Sequence, residues 1–325
     1  MKLQRRLTPN ALHLTPNSAF SLIELSIVLL IISVMVVGIV KGGHLVSLAR
    51  LMNARSFTSN SPVPKISGLL AWYETSMKAS LSESEVYEDA PITAWYDISP
   101  NSIANQRNTL TLMGQALAPA PVCAIGDSCT INTITPITYQ PDGIGKLPSL
   151  KFNGTGPLTL PDFYQGSLRQ RTIFVVAKLT SWGGGAVELF DYTCGGSTYF
   201  ADLYLSPSSI YTGSALFGTS TNPANISIGK DILIVAYING SSTKLYQNNG
   251  GTDNVGAMIG GGAVTGPSVD SKGLTIGADR CNVGPYGFVG LISEVIVYNR
   301  PLKLQERKDV MSYLSKKYQI TVTGL

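Results

Sequence analysis

From Phe20 to Val40 the chain passes through 21 positions of which one, Glu24, is charged. At 1.5 Å per residue a helix of that length reaches roughly 30 Å, the thickness of a bilayer's hydrocarbon core. The pattern predicts a transmembrane α-helix over 20–40. Lys41-Gly42-Gly43 follows, where a helix loosens because each Gly costs about 1 kcal/mol against Ala. Helical spacing then resumes, with Leu45, Leu48, Ala49 and Met52 on one stripe, so the helix is expected to run to 56. Pro62 and Pro64, set among Ser, Thr and Asn, predict a linker over 57–65. From 66 onward short alternating or apolar runs stand between turn signals, which is the pattern of strands. The runs are 69–74, 93–98, 109–113, 149–153, 172–179, 186–192, 198–205, 209–212, 232–238, 243–247, 273–277 and 288–298. Asn239-Gly240 supplies the positive φ of a tight hairpin turn. One amphipathic helix closes the chain, over 304–318, with Val310, Leu314 and Tyr318 on one face. Many strands and a single late helix predict an all-β head, an antiparallel two-sheet sandwich over 66–325 with a C-terminal helix, carried on the long N-terminal helix.

Charge and composition narrow the function. A formal net charge of +4, part of it in Lys2, Arg5 and Arg6 before the apolar run, points to no nucleic-acid partner. The two histidines, His13 and His44, flank the apolar helix and leave the head with none. A Ser-His-Asp triad, a Cys-His pair and a His-ligated zinc site are therefore excluded from the head.

Lys2, Arg5 and Arg6, then Ala19, then Phe20-Ser21-Leu22-Ile23-Glu24-Leu25 and the apolar run resemble the prepilin signal of type IV pilins and pseudopilins. The family usually has Gly before the cut; Ala19 is small enough to take that place. The resemblance implies a leader over 1–19 removed by a prepilin peptidase between Ala19 and Phe20, and N-methylation of Phe20. It also implies a helix that anchors the chain in the inner membrane, with the head in the periplasm, and later packs with other pilin subunits. On assembly the head would stand on the pilus or cell surface. Glu24, costly as a lone buried carboxylate, would then pair with a neighbouring subunit's terminal ammonium. A secretory signal would be shorter and would end in a small-residue site.

In the head, Gly68-Leu69-Leu70-Ala71-Trp72-Tyr73, Trp95-Tyr96-Asp97-Ile98-Ser99 and Leu147-Pro148-Ser149-Leu150-Lys151-Phe152-Asn153-Gly154 are similar to landmarks of laminin-G-like, concanavalin-A-like domains. The run from Gly290 to Leu302 and Tyr313-Leu314-Ser315-Lys316-Lys317-Tyr318 resemble that family's last strand and closing helix, although Lys303 stands where the family often has an N-capping Ser. The resemblance implies a jelly roll that binds a glycan or a surface protein. The two resemblances together describe a minor pilin or pseudopilin with a lectin-like, non-enzymatic head. The competing classes are a type II secretion pseudopilin and a membrane-tethered carbohydrate-active enzyme.

Four cysteines allow three pairings; in the oxidising compartment that the prepilin resemblance implies, Cys123–Cys129 and Cys194–Cys281 are expected. No cofactor is expected, with Ca²⁺ as the one candidate, since Asp97, Asp191, Asp202, Asp253, Asp270 and Asp279 stand at strand ends or in loops without an EF-hand spacing. Glu83, Glu85, Glu88 and Asp89 are the tight acidic pairs, and their Ser-rich setting predicts a solvated loop. Trp182, before Gly183-Gly184-Gly185, is the candidate ligand-binding aromatic, because that run offers an indole little cover.

Overall fold

A computed structural model of the chain describes residues 21–103, 108–112, 135–160, 163, 170–182, 187–191, 201–206, 209–211, 228–239, 243–248, 258–262, 273–278 and 287–325. The chain divides after Leu48, with Ala49–Leu325 forming the larger unit. Helix α1 is Leu22–Ser59 and stays helical through Gly42 and Gly43. Its start is apolar all round, with Leu22, Ile23, Leu30 and Val34 all more exposed than buried. Among the described residues no helix is long and apolar enough to cross a membrane. That finding corrects the expected transmembrane helix and, with it, the expected single-pass protein of the inner membrane with a periplasmic head.

Fifteen strands build the head. They are β1 (Leu69–Glu74), β2 (Ala94–Trp95), β3 (Leu110–Leu112), β4 (Thr138–Gln140), β5 (Ser149–Asn153), β6 (Leu158–Leu160), β7 (Gln170–Ser181), β8 (Val187–Asp191), β9 (Ala201–Ser206), β10 (Ser209–Tyr211), β11 (Asp231–Asn239), β12 (Thr243–Gln247), β13 (Met258–Gly262), β14 (Leu274–Ile276) and β15 (Val289–Tyr298). A short helix α2 (Pro100–Ile103) precedes β3, and α3 (Leu304–Tyr318) closes the chain. One antiparallel sheet has eight strands in the order β13-β12-β11-β7-β15-β5-β4, with β1 also on β15. The other has seven, in the order β10-β9-β8-β14-β6-β3-β2. The fold is thus all-β and antiparallel, with a C-terminal helix, as the sequence predicts. β11 and β12 pair antiparallel as a hairpin, and the Gly240 turn lies outside the described residues.

Two cores follow from strand alternation. On β7, Ile173, Val175, Ala177 and Leu179 face the space between the sheets, while Phe174 and Val176 face the other way. β11 repeats this, with Ile232, Ile234, Ala236 and Ile238 inward and Leu233 and Val235 outward. The outward set packs with Val310, Met311, Leu314 and Tyr318 of α3 and with Ala54 from the end of α1. A strand buried on both faces reads as an unbroken apolar run, and that is why these two strands do not alternate with polar residues. Residues 57–65, expected as a linker, belong to this outer core. α1 continues to Ser59, Val63 is fully buried in the turn Val63–Lys65, and its carbonyl accepts the Tyr298 hydroxyl at 3.0 Å.

Gly145 touches the C-terminal end of α3. Its φ is +59°, and a Cβ there would stand 2.4 Å from the Tyr318 carbonyl oxygen. Gly145→Ala combines a left-handed backbone with that clash, so it should lower head stability by about 1–3 kcal/mol. Urea denaturation followed by tryptophan fluorescence checks it, and an unchanged midpoint would reject the close packing of α3 on this turn.

Candidate functional site

The sharpest chemistry in the head lies under α3, where the sequence reading looked for none. On β1, Ala71 and Tyr73 point between the sheets, so Trp72 and Glu74 point to the helix side. On β15 the alternation is reset. The pairing register shifts between Ile292 and Glu294, so a bulge at Ser293 leaves Ile292 inward and sends Glu294 outward beneath α3. The two carboxylates become direct partners across the strands, Glu74 opposite Glu294. Lys317 descends from the apolar face of α3 and bridges them, with Nζ 2.9 Å from Glu74 Oε2 and 2.8 Å from Glu294 Oε2. All three side chains are completely buried.

Burying charge is tolerable only when each lone pair and proton is used. Glu74 accepts from the N–H and hydroxyl of Ser76, the N–H of Met77, the hydroxyl of Ser80 and Lys317. Glu294 accepts from Trp72 Nε1 at 2.7 Å, Tyr313 at 2.8 Å, Tyr318 at 2.9 Å and Lys317. The Trp72 and Tyr313 rings meet edge to face, 6.3 Å apart, and wall the site. Burial alone would raise the Glu74 pKa, but Lys317 and the Ser76 and Ser80 hydroxyls outweigh it and hold the group below its ordinary value. Burial would lower Lys317, and the two carboxylates overcome that and raise it. The Tyr313 and Tyr318 hydroxyls are pushed well up, first by burial and then by Glu294. The cluster is a closed ionic lock in which both carboxylates are sealed from solvent.

The residues singled out from sequence fall elsewhere. Ser21 and Glu24 cap α1 reciprocally: Glu24 Oε2 accepts the Ser21 N–H at 2.9 Å, and the Ser21 hydroxyl accepts the Ile23 N–H at 3.3 Å. Ala19, Phe20, Cys123, Cys129, Cys194 and Cys281 lie outside the described residues, as do Asp253, Asp270 and Asp279. Trp182 follows β7 and is half-buried against the inter-sheet core, so part of the indole is covered rather than free. Asp97 is taken up by the fold. It accepts from the N–H groups of Trp72 and Ser99 at 2.8 Å each and from Asn108 at 3.1 Å, and burial raises its pKa despite those bonds. Among the described residues no group of three or more Asp, Glu, His or Cys is placed to hold a metal ion. Glu85, expected in a solvated loop, is buried and accepts from the N–H and hydroxyl of Thr93, while Glu83, Glu88 and Asp89 are exposed. At the start of α3, Lys303 offers no acceptor, and Glu306 supplies the cap from inside. Its carboxylate takes the Lys303 N–H at 2.7 Å and a two-pronged pair from Arg300.

No protein-family model matches the chain, and no curated protein does. Among solved structures, Trypanosoma rangeli sialidase in complex with sialic acid is 16% identical, with a TM-score of 0.47 over 77% of this chain and 33% of that one. Domain 4 of AbnA, a GH43 extracellular arabinanase from Geobacillus stearothermophilus in complex with arabinotriose, is 17% identical, with a TM-score of 0.46 over 75% of this chain and 98% of that one. A GH54 α-L-arabinofuranosidase variant is 12% identical, with a TM-score of 0.49 over 70% of this chain and 51% of that one. The chain thus spans about a third of the sialidase's length. The expectation of a non-enzymatic head does not stand beside neighbours that carry the names of glycan-cleaving enzymes, and it is withdrawn. A likeness below a TM-score of 0.5 assigns no activity in its place.

The lock sets a pH window for stability. Glu74, depressed on folding, stabilises the head fully above its ordinary value near 4.5, and that contribution is lost as pH falls through its folded value. Lys317, raised on folding, contributes fully below 10.5 and loses that contribution as pH rises through its folded value. The urea midpoint should therefore be flat around neutrality and fall on both sides. Lys317→Met at pH 7 leaves two buried carboxylates without a cation and should cost about 3–5 kcal/mol. A midpoint insensitive to both acid and the substitution would contradict the lock.

Proposed function

We propose that this chain is a subunit of a type IV pilus-like filament, a minor pilin or pseudopilin, whose sandwich head is displayed to bind a glycan or a protein. The observation that carries the proposal is the start of α1. Its apolar side chains are exposed around the whole circumference, and its single acid, Glu24, sits one turn in with its carboxylate folded back on the helix N-terminus. A helix that is apolar all round is stable only when covered on every side. A bundle of the same helix from neighbouring subunits provides that cover. After cleavage between Ala19 and Phe20, the new ammonium of one subunit would pair with a neighbour's Glu24. Prepilin peptidase and other pilin subunits are the partners this reading needs.

We read the head as a concanavalin-A-like jelly roll. Two antiparallel sheets with non-sequential neighbours and the closing pair β15–α3 support that reading. Trp182, at the end of β7 beside the Gly183-Gly184-Gly185 run, offers the uncovered part of its ring as a stacking surface for a sugar.

Three measurements test this reading. Mass spectrometry of the purified protein should find a mature chain beginning with N-methylated Phe20; a chain that keeps its leader would sink the filament proposal. Glu24→Ala should be processed but enter filaments poorly, by tenfold or more on immunogold counts, and normal incorporation would reject the pairing role. For the head, a glycan array with the full chain should identify a ligand whose retention drops with Trp182→Ala; retention unaffected by that change would move the contact elsewhere.

A further inference from the structure

We propose that the Glu74–Lys317–Glu294 cluster is an acid-released clasp on the last turns of α1. It holds Ala49–Ser59 to the head while Glu74 is ionised and frees those turns before the sheets unfold. This inference does not depend on the filament reading, because every group in it belongs to the larger unit, Ala49–Leu325.

Two hydrogen-bonded routes run from α1 to the cluster. In the first, the Thr58 hydroxyl meets the Tyr313 hydroxyl at 3.3 Å, and Tyr313 donates to Glu294 Oε1 at 2.8 Å. In the second, Arg55 Nε donates to the Ser76 carbonyl at 2.8 Å, and Ser76 is itself pinned by donating its N–H and hydroxyl to Glu74 Oε2. Lys317 joins the two ends by bridging both carboxylates. Apolar cover on these turns is thin. Of Ala49–Ser59 only Ala54 and Thr58 are buried, with Leu51, Arg55 and Phe57 partly so. β7 and β11, by contrast, are buried on both faces. A segment with few apolar contacts opens at lower free energy than the core, so whatever polar ties it has decide when it opens.

The ionisable groups around the cluster come from five elements: Glu74 on β1, Glu294 on β15, Lys317, Tyr313 and Tyr318 on α3, Arg55 on α1, and Tyr139 on β4. Burial pushes Tyr139 up to about 12 and holds the other two tyrosines neutral, so acid acts on Glu74. Protonating Glu74 converts an acceptor of five donors into a group that must itself donate. Ser76 then loses its pin, and the carbonyl to which Arg55 donates is no longer held in place.

Hydrogen exchange read by mass spectrometry tests the clasp on the full chain in a mild non-ionic detergent, at pH 7 and pH 3, with rates corrected for intrinsic exchange. Protection over Ala49–Ser59 should fall about tenfold at pH 3 while β7 and β11 keep theirs. The double variant Arg55→Met, Thr58→Val cuts both routes without touching the cluster. It should lose that protection already at pH 7 and respond little further to acid. Equal loss over α1 and β7, no loss at pH 3, or a double variant with the parent's pH response would each overturn the proposal.

Discussion

One ammonium group between two carboxylates, all three without solvent, constrains this head more than any other contact. Removing three charges from water costs several kcal/mol for each ion, and the attraction among them returns that only when the geometry is close and every remaining lone pair is filled. Here the donors come from β1, the turn after it and α3, and the acceptors from β1 and β15, so the cluster forms only when those elements are already in register. A slip of β1 by one residue against β15 would carry Glu74 into the inter-sheet core. The same cost that makes such a cluster a poor source of net stability makes it a strict selector of one arrangement.

The bulge at Ser293 is part of that selection. Without an extra residue in β15, Glu294 would share the inward face with Ile292, among Ile173, Val175 and Ala177. Ser293 is itself tied down, its hydroxyl 2.6 Å from that of Ser149 on β5. α3 then closes over an outer sheet face that is apolar except at the lock. The cover is secured at one end by Glu306, which caps the helix and grips Arg300, and near the other by Lys317. Between them Arg307 is stacked 4.4 Å over the Tyr237 ring of β11.

Much of this fold could be read along the chain, because strands and the last helix announce themselves by local pattern. β1, β5, β12 and α3 fall where the alternation and turn signals put them, to the residue. β4, β6 and β13 were passed over, since three residues such as Thr138–Gln140, or the Gly-rich Met258–Gly262, carry too little pattern to register. The lock was invisible for a different reason. Glu74 and Glu294 are 220 positions apart, and nothing local says that two antiparallel strands will set them opposite each other. The sequence does hold weak signals. Glu294 interrupts an apolar strand, and Lys317 stands on the same helical face as Val310, Tyr313 and Leu314. A charge on an apolar face implies a buried partner, though not which one. The partial cover of Trp182 could not be read from its Gly neighbours, since cover comes from residues distant in sequence.

The two ends of α1 answer different physical demands, and that contrast is what ties head and helix into one reading. Its last turns are amphipathic and hold the head by hydrogen bonds at Arg55 and Thr58, with Ala54 the small residue that lets the helix approach closely. Between Leu25 and Val36 its only polar side chains are Ser26 and Ser33, whose hydroxyls donate to the Ile23 and Leu29 carbonyls of the same helix. Polar ties of fixed geometry suit a permanent partner within the chain, since each donor must meet its acceptor. An unpatterned apolar surface suits cover by repeated, near-equivalent neighbours, where dispersion and burial act without direction. A helix built this way holds one specific partner at its end and leaves its beginning to cover that acts without direction.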